Sequence, residues 1–124
     1  MTVVLDHMSV AAKDKVASAN WYAHLFGVTY DGPRRMYAPV IVNEGLALNF
    51  EDAETIQRRH YAFRVSADEF DSVRQRLEAA GAPYGSSDTD LNGEIYERGG
   101  LRGYYFDDIN GHGCEIITPV GRTE

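Results

Sequence analysis

The chain has 124 residues, enough for one domain with a substantial core and too few for two. Its hydrophobic fraction of 44% and charged fraction of 25% are ordinary for a globular protein, and no apolar run approaches the roughly 18 residues of a membrane span. A formal net charge of −7 disfavours nucleic acid or an anionic membrane as the main partner, which favours a small ligand in a pocket.

The N-terminus and the cysteine content indicate a cytoplasmic protein. The opening residues MTVVLDH have neither the basic region nor the apolar region of a signal peptide. The single cysteine, Cys114, cannot form an internal disulfide, which suits a reducing compartment. Strand alternation turns Cys114 toward the predicted helices, so a buried and inert thiol is expected.

The first half of the chain predicts a strand, a helix and three further strands. Residues 3–10 are apolar and β-branched, as in a strand. Residues 13–26 carry apolar side chains at helical spacing, and Gly27 stands where a helix C-terminus favours a left-handed residue. The remaining strands are predicted at residues 29–30, 36–42 and 46–50.

The second half repeats this order. Residues 60–65 predict a strand, and Ser66 or Asp68 caps a helix that runs to about Ala80 and ends at Gly81. Strands are predicted near residues 83–84, 103–107 and 114–118, and the inward helix positions are Phe70, Val73, Leu77 and Ala80. The short polar stretch 52–59 links the halves, so we expect one domain, 1–124, of two modules at about 1–52 and 60–119.

Residues 85–102 form an insertion that the first half lacks. The segment is polar and rich in glycine, with little periodicity. Loops of this length inside a compact domain are usually functional or disordered. The segment therefore predicts a loop without regular structure, acting either as a substrate lid or as a mobile connection.

Strand alternation places polar residues on one face of the predicted sheet. Because alternate residues of a strand point to opposite faces, His7 and His60 lie opposite the apolar rows of their strands. Glu115 and Asn49 lie opposite the apolar residues of their own strands in the same way. The pattern predicts an α+β fold, with paired βαβββ modules in a curved mixed sheet, a polar cup and helices outside.

The residues of this cup indicate a metal site. Two imidazoles and one carboxylate are the ligand set of a facial metal centre with open coordination positions. A lone buried carboxylate would be costly, and a divalent cation removes that cost. We therefore predict His7, His60 and Glu115 as ligands of one divalent ion, with Fe, Mn, Zn and Ni all left open by this donor set.

Other polar residues have either a functional or a structural interpretation. Tyr105 alternates onto the cup face, where it could donate its hydroxyl to an oxygen at the metal or simply pack in the core. His24 and His112 are interpreted as surface or turn-stabilising groups. Arg64 on the cup face could bind an anionic substrate or pair with an acid. Arg98 and Arg102, near the end of the insertion, could do the same, but we expect them on the solvated surface.

Three segments of the chain resemble the vicinal oxygen chelate superfamily, which includes glyoxalase I, fosfomycin-modifying enzymes, extradiol dioxygenases and bleomycin-resistance binding proteins. They are LDHMSV with SANWYAHLFGV, HYAFRVSADEFDSVRQRLEAAGAPY, and FDDINGHGCEIITP. The last resembles the closing hairpin F-x-D-P-D-G-x-x-x-E, with Ile109 and Asn110 in place of proline and aspartate. The resemblance covers essentially the whole chain and implies paired βαβββ modules around a divalent metal.

Carried over position by position, the ligands of this superfamily fall on His7, His60 and Glu115. Glyoxalase I-like members have a fourth ligand, Glu or Gln, on the strand that here contains Asn49, a shorter and weaker ligand. The set is therefore closer to extradiol dioxygenases and fosfomycin-modifying enzymes.

The resemblance implies a metal-dependent lyase or transferase, or an extradiol-type dioxygenase, acting on a small oxygen-bearing substrate. Glu115 and Tyr105 are its candidate catalytic residues. One alternative is a metal-free small-molecule binding protein of the drug-resistance type, although such proteins usually lack the triad; another is a metal sensor or buffer without turnover. We expect a homodimer, because half-barrel folds leave sheet edges exposed, and the metal site forms either within one chain or across the dimer.

Overall fold

The fold is described from a computed structural model of the chain, for residues 3–121. These residues lie in two compact units, Met1–Gln57 and Arg58–Glu124. Unit one contains β1 (His7–Ala12), α1 (Lys15–Phe26), β2 (Ala38–Asn43) and β3 (Leu46–Asp52). Unit two contains β4 (His60–Arg64), α2 (Ala67–Ala79), β5 (Tyr84–Gly85), β6 (Tyr96–Arg98), β7 (Leu101–Asp107) and β8 (Gly113–Pro119). None of the helices in this part of the chain is long and apolar enough to cross a membrane.

The two units share one strand order. In unit one, β1 runs parallel to β3, and β3 pairs antiparallel with β2. In unit two, β4 runs parallel to β8, β8 pairs antiparallel with β7, and β7 also pairs with β5 and β6. The predicted α+β class with mixed sheets is confirmed. The repeated strand–helix–glycine pattern of the sequence reflects this repeated pairing.

Helix α1 is fixed by a cap at its start and by a bond to the end of β3. Asp14 has extended backbone angles and accepts a hydrogen bond from the amide of Ala17 at 3.0 Å, so the helix begins at Lys15 and not at residue 13 as predicted. The carboxylate of Asp52 accepts from the amide of Lys15 at 2.8 Å. The helix ends at Gly27, as predicted, with φ 68°.

The core of unit one lies between α1 and one face of the sheet. The ring of Tyr22 packs 5.0 Å from the ring of Phe50, and both side chains are buried. Two strand predictions are wrong. The first strand begins at His7 and not at residue 3, because its ladder starts with the pair His7–Ala47, and residues 29–30 form no strand. An apolar, β-branched run without a partner strand stays irregular.

Helix α2 begins at a capping box. The hydroxyl of Ser66 accepts from the amide of Glu69 at 3.2 Å, and the Glu69 carboxylate accepts from the amide of Ser66 at 3.2 Å. Ser66 is therefore the cap, and Asp68 is not. Three of the predicted inward residues, Phe70, Val73 and Leu77, are buried, whereas Ala80 is exposed because the helix has already ended there.

The prediction of an irregular loop at residues 85–102 is wrong in part. The segment contains β6, which pairs with the start of β7 from Tyr96–Gly103 to Arg98–Leu101. The two strands are joined by Gly99 and Gly100, with φ 62° and 79°. A two-residue hairpin turn with both central residues at positive φ is the type that glycine pairs favour. The insertion thus adds an edge hairpin to the sheet of unit two.

Candidate functional site

One face of the sheet in unit two carries three of the residues named from the sequence. Across β8, Glu115 lies opposite Ala62 of β4 and Tyr105 of β7. His60 is two residues before Ala62, so it points to the same face. On the other face, Cys114 and Ile116 are fully buried, which agrees with the predicted inert thiol.

His60 and Glu115 are in direct contact. The His60 Nε2 atom lies 3.0 Å from Glu115 Oε1. The side chain of Glu115 is 13% exposed and that of His60 is 51% exposed, so the carboxylate lies deeper than the ring. The contact joins the start of β4 to the middle of β8. It leaves the imidazole open to a ligand from the solvent side.

Tyr96 contacts the other oxygen of the same carboxylate. Its hydroxyl donates a hydrogen bond to Glu115 Oε2. Burial, together with this bond and the nearby negative charge, raises the pKa of Tyr96 far above its ordinary value. The hydroxyl therefore keeps its proton at neutral pH and acts as a donor. Its ring lies over Gly103, where an added Cβ would come within 2.5 Å of the ring atoms.

Arg98 connects two tyrosines of this face. Its Nη2 atom donates to the hydroxyl of Tyr105 at 3.1 Å, and its guanidinium carbon lies 4.3 Å from the centre of the Tyr96 ring. Arg98 is exposed, as expected, but it is not merely solvated. Burial raises the pKa of Tyr105, Glu115 adds to the rise, and the bond from Arg98 opposes it. The ring of Tyr105 lies 6.0 Å from that of His60.

Sequence reasoning did not identify Tyr96. The signal that would have found it is the Gly99-Gly100 pair, which favours a two-residue hairpin. Such a hairpin pairs Arg98 with Leu101 and therefore Tyr96 with Gly103. Because Gly103 and Tyr105 share one face of β7, this register brings Tyr96 toward Glu115.

In unit one, His7 stands at the start of β1 with an acidic neighbour. Its Nδ1 atom lies 2.8 Å from the carboxylate of Asp6, and both side chains are exposed. A carboxylate at Nδ1 favours the tautomer with hydrogen on that nitrogen, which leaves the Nε2 lone pair available to a metal ion. Asn49, the residue at the position of a fourth ligand in glyoxalase I-like proteins, lies opposite Ser9 on the same sheet.

His7 and Asn49 both line a cleft of about 740 Å³ in unit one. The cleft covers the sheet face that is opposite the core. Its rim comes from the irregular segment between α1 and β2, and its other lining residues include Asp31, Arg34, Arg35, Tyr37, Pro39 and Ile41. Pockets that bind small ligands have volumes of this order.

The remaining two histidines, His24 and His112, lie outside this site. His24 is exposed on α1, as expected. His112 is buried and not on the surface, and its Nδ1 accepts from the amide of Arg59 at 3.1 Å. Its own amide donates to Asp108 Oδ1 at 2.8 Å, so His112 stabilises the closing turn, as the sequence suggested.

His60 and Glu115 are within hydrogen-bonding distance, and the same spacing is compatible with two ligands of one metal ion. Two ligands at a right angle, each about 2.1 Å from an ion, are separated by about 3 Å. His60 Nε2 and Glu115 Oε1 are 3.0 Å apart. Within residues 3–121, no group of three or more His, Cys, Asp or Glu side chains is close enough to hold one ion. The structure therefore brings His60 and Glu115 together, and the third ligand, His7 of unit one, stays a prediction.

Comparison with known proteins gives the family. No family model and no curated protein matches the chain. Among solved structures, Oxidase ChaP-H2 is 41% identical over 98% of each chain, with a TM-score of 0.88. Oxidase ChaP-H1 is 33% identical over 98% of this chain and 100% of the other, with a TM-score of 0.86. A glyoxylase/bleomycin resistance protein/dioxygenase domain from Frankia sp. EAN1pec is 17% identical over 96% and 99%, with a TM-score of 0.72.

The chain belongs to the vicinal oxygen chelate superfamily. The resemblance found in the sequence is thereby confirmed. The Frankia domain supports the fold alone, because its identity is low, whereas the two oxidases extend the likeness to the sequence. Members of the vicinal oxygen chelate superfamily bind small molecules, in agreement with the small ligand inferred from charge and composition.

Proposed function

We propose that this chain is a metal-dependent oxidase of the vicinal oxygen chelate superfamily that acts on a small, oxygen-bearing substrate. The observation that supports a metal site is the 3.0 Å separation of His60 Nε2 and Glu115 Oε1 on an open sheet face. The reaction class is proposed from the 41% identity to Oxidase ChaP-H2. An oxidation agrees with the dioxygenase activity that the sequence suggested, and we prefer it to the lyase and transferase activities.

The proposed ligands are His7, His60 and Glu115. The Asp6 carboxylate beside His7 Nδ1 prepares that imidazole to ligate through Nε2. His7 is supplied either by the same chain or by a second copy. When bound, a divalent ion supplies Lewis acidity and a template that orients the oxygens of the substrate.

The residues around the ligands have separate tasks. The Tyr96 hydroxyl holds Glu115 Oε2 and so leaves Oε1 on the side of His60. Arg98 holds the hydroxyl of Tyr105 by donating to its oxygen. A tyrosine hydroxyl is protonated at neutral pH, and burial raises the pKa of Tyr105 further, so the hydroxyl can donate to a substrate oxygen. Tyr105 is thus the candidate catalytic donor, beside the ligand Glu115.

Elemental analysis of protein purified without added metal or chelator tests the metal proposal. The wild-type chain should carry about one divalent ion per site, and a spectrum after anaerobic addition of Fe(II) should change. His60→Ala and Glu115→Ala should each lose most of the metal. His60→Ala should keep the fold, because its ring is half exposed and contributes little to the core. His24→Ala, on the exposed side of α1, is the matched control and should keep full occupancy.

Full metal occupancy in both His60→Ala and Glu115→Ala would contradict this proposal. A wild-type chain that binds no divalent ion under any condition would do so as well. Either result would support the alternative of a metal-free binding protein of the drug-resistance type.

Assembly as a homodimer is part of the same proposal. Unit one exposes large apolar side chains in the segment before β1, namely Val3 at 91%, Val4 at 60% and Leu5 at 62%. Such side chains are usually covered when they form a continuous patch. Sedimentation should give twice the 13.8 kDa mass of the chain at micromolar concentration, and a monomer would contradict it. The cytoplasmic location stays a prediction from the sequence.

A further inference from the structure

We propose that the cleft of unit one binds an oxyanion, such as a carboxylate, of an otherwise apolar molecule through Arg34 and Arg35. The cleft also contains His7, so the bound molecule would lie beside a proposed metal ligand. The identification of this molecule as the substrate rests on the proposed function. The anion binding itself does not depend on it.

The charges of the cleft support this choice of ligand. Arg34 and Arg35 both line it, and within residues 3–121 neither guanidinium has a hydrogen bond or ion pair. The Asp6 carboxylate contacts the His7 ring. Asp31 lines the cleft and forms no ion pair with either arginine. The cleft therefore carries both signs of charge, and the two guanidinium groups are the cations in its lining that can bind an anion. Guanidinium forks bind oxyanions through paired, charge-assisted hydrogen bonds.

The backbone of Arg35 is an independent observation. Arg35 is the one residue other than glycine with positive φ, 56°, among residues 3–121. It is the first central residue of a tight turn in which the amides of Arg34 and Tyr37 donate to each other's carbonyls at 2.8 and 3.0 Å. Glycine takes this conformation without strain, whereas a side chain does not. The turn itself requires positive φ at this position and favours glycine there, so an arginine retains its side chain at a cost in strain, and strained positions cluster at ligand sites.

The rest of the lining fits an apolar body. Pro33, Tyr37, Pro39 and Ile41 all face the cleft, and Ile41 is 64% exposed. Burying these side chains against a ligand would remove apolar surface from water. The ligand class is therefore a compact apolar molecule with an oxyanion at one end.

Two fluorescent probes that differ in one charge test the proposal on the full chain. 8-Anilinonaphthalene-1-sulfonate is an apolar anion, and N-phenyl-1-naphthylamine is its neutral counterpart. The wild-type chain should bind the sulfonate more tightly, by about ten-fold. Arg34→Ala and Arg35→Gly should each weaken binding of the sulfonate by about three- to ten-fold and leave the neutral probe unchanged. Ile41→Glu should weaken both probes, which locates them in the cleft.

The controls separate binding from folding. Arg35→Gly should unfold at the same temperature as the wild-type chain or higher, because it relieves the strained φ, so its weaker binding cannot reflect unfolding. Lys13→Ala removes an exposed cation of unit one that does not line the cleft, and it should bind both probes normally. Equal affinity of the wild-type chain for both probes would overturn the proposal. So would unchanged sulfonate binding in both arginine variants, or an equal loss in Lys13→Ala.

His60→Ala separates this inference from the proposed function. That variant should lose metal and still bind the sulfonate with the affinity of the wild-type chain. If the metal test fails and the probe test succeeds, the cleft is an anion site of a binding protein. If the metal test succeeds and the probe test fails, only the inference about the cleft is wrong.

Discussion

The two carboxylate oxygens of Glu115 have different partners, and this division defines the site of unit two. Oε1 faces His60, and Oε2 accepts from the hydroxyl of Tyr96. When one oxygen of a carboxylate is held by a hydrogen bond, the other oxygen can take fewer orientations. Tyr96 thus orients the proposed ligand Glu115, as Asp6 orients the proposed ligand His7.

Tyr96→Phe should weaken metal binding without removing it. The change deletes the donor to Glu115 Oε2 and keeps the ring, and the loss of such an orienting partner lowers metal affinity by about 10-fold or more. Competition with a chromophoric chelator measures this affinity. Tyr61→Phe, on the opposite face of β4, should bind metal normally. Equal affinities for the two variants would show that Tyr96 does not orient Glu115.

Asp108 stabilises the turn that leads into β8, and its removal should be costly. Its Oδ1 atom accepts from the amides of Asn110 and His112, both at 2.8 Å, and its side chain is buried. Asp108→Ala leaves two buried donors without their acceptor, so the free energy of unfolding should fall by about 2–4 kcal/mol. Urea denaturation measures the loss.

The neighbouring carboxylate provides the control for this turn. Asp107 is about half exposed and forms an ion pair with Arg58 at 3.0 Å. Because exposed ion pairs contribute little, Asp107→Ala should cost less than about 1 kcal/mol. A loss as large as that of Asp108→Ala would mean that exposed charge, and not the buried acceptor, holds the turn.

At the scale of elements, the β6–β7 hairpin is the part of unit two that brings Tyr96 to Glu115 and Arg98 to Tyr105. Its fit depends on Gly103, because any Cβ there would overlap the Tyr96 ring. β6 pairs with β7 through three residue pairs. The hairpin thus places two side chains at the site, although the strand that carries them is short.

Gly103→Ala tests this fit through a double-mutant cycle. In the wild-type background the added methyl must displace the Tyr96 ring, and the free energy of unfolding should fall by about 1–3 kcal/mol. In a Tyr96→Ala background the space is free, so the same change should cost less than about 1 kcal/mol. Equal costs in the two backgrounds would show that the ring does not depend on the glycine.

An element could be predicted where its sequence signal is local, and not where its boundaries depend on a distant partner strand. The start of α2 was predictable because Ser66 and Glu69 form a capping box within four residues. β6 was not predicted, because GEIYERGG has no apolar alternation and only the glycine pair marks the turn. The start of β1 was misplaced for a non-local reason, since its partner β3 begins at Leu46 and offers residues 3–5 no strand to pair with.

At the scale of the whole chain, the tyrosines determine how stability responds to alkaline pH. The pKa values of five tyrosines are raised, mainly by burial, except that for Tyr84 the hydrogen bond to Glu78 comes first; they are Tyr61, Tyr84, Tyr96, Tyr104 and Tyr105. An unfolded tyrosine loses its proton near about pH 10. Above that pH the folded chain holds more protons than the unfolded chain, so stability falls as pH rises.

Urea denaturation between pH 8 and pH 11 should therefore show full stability below about pH 10 and a progressive loss above it. Tyr104→Phe is the informative variant, since its hydroxyl is buried and donates to the carbonyl of Phe70 at 2.9 Å. It should lower stability at pH 8 and reduce the loss between pH 10 and pH 11. An unchanged pH dependence in this variant would show that Tyr104 does not contribute to it.

The repeated order of elements and the shared sheet face of His60 and Glu115 could be predicted from the sequence. The contacts of Tyr96 could not. Alternation alone places His60 and Glu115 on one face, and the parallel pairing of β4 with β8 then brings them into contact. The position of Tyr96 against Glu115 depends on the register of β6 on β7 and on the missing Cβ of Gly103. Neither can be read from a sequence without knowing which strands pair.

The placement of Tyr96 on an edge strand has a consequence for the dynamics of the site. Glu115 lies on β8, which is hydrogen-bonded on both sides, whereas β6 is bonded to β7 alone. Edge hairpins open locally at a lower free energy than central strands. Amide hydrogens of β6 should therefore exchange with solvent deuterium much faster than those of β8, while the chain as a whole stays folded. Glu115 would then exchange between a restrained and a released state on the timescale of hairpin opening. If the proposed site holds an ion, its release would follow the opening of β6 rather than the unfolding of unit two.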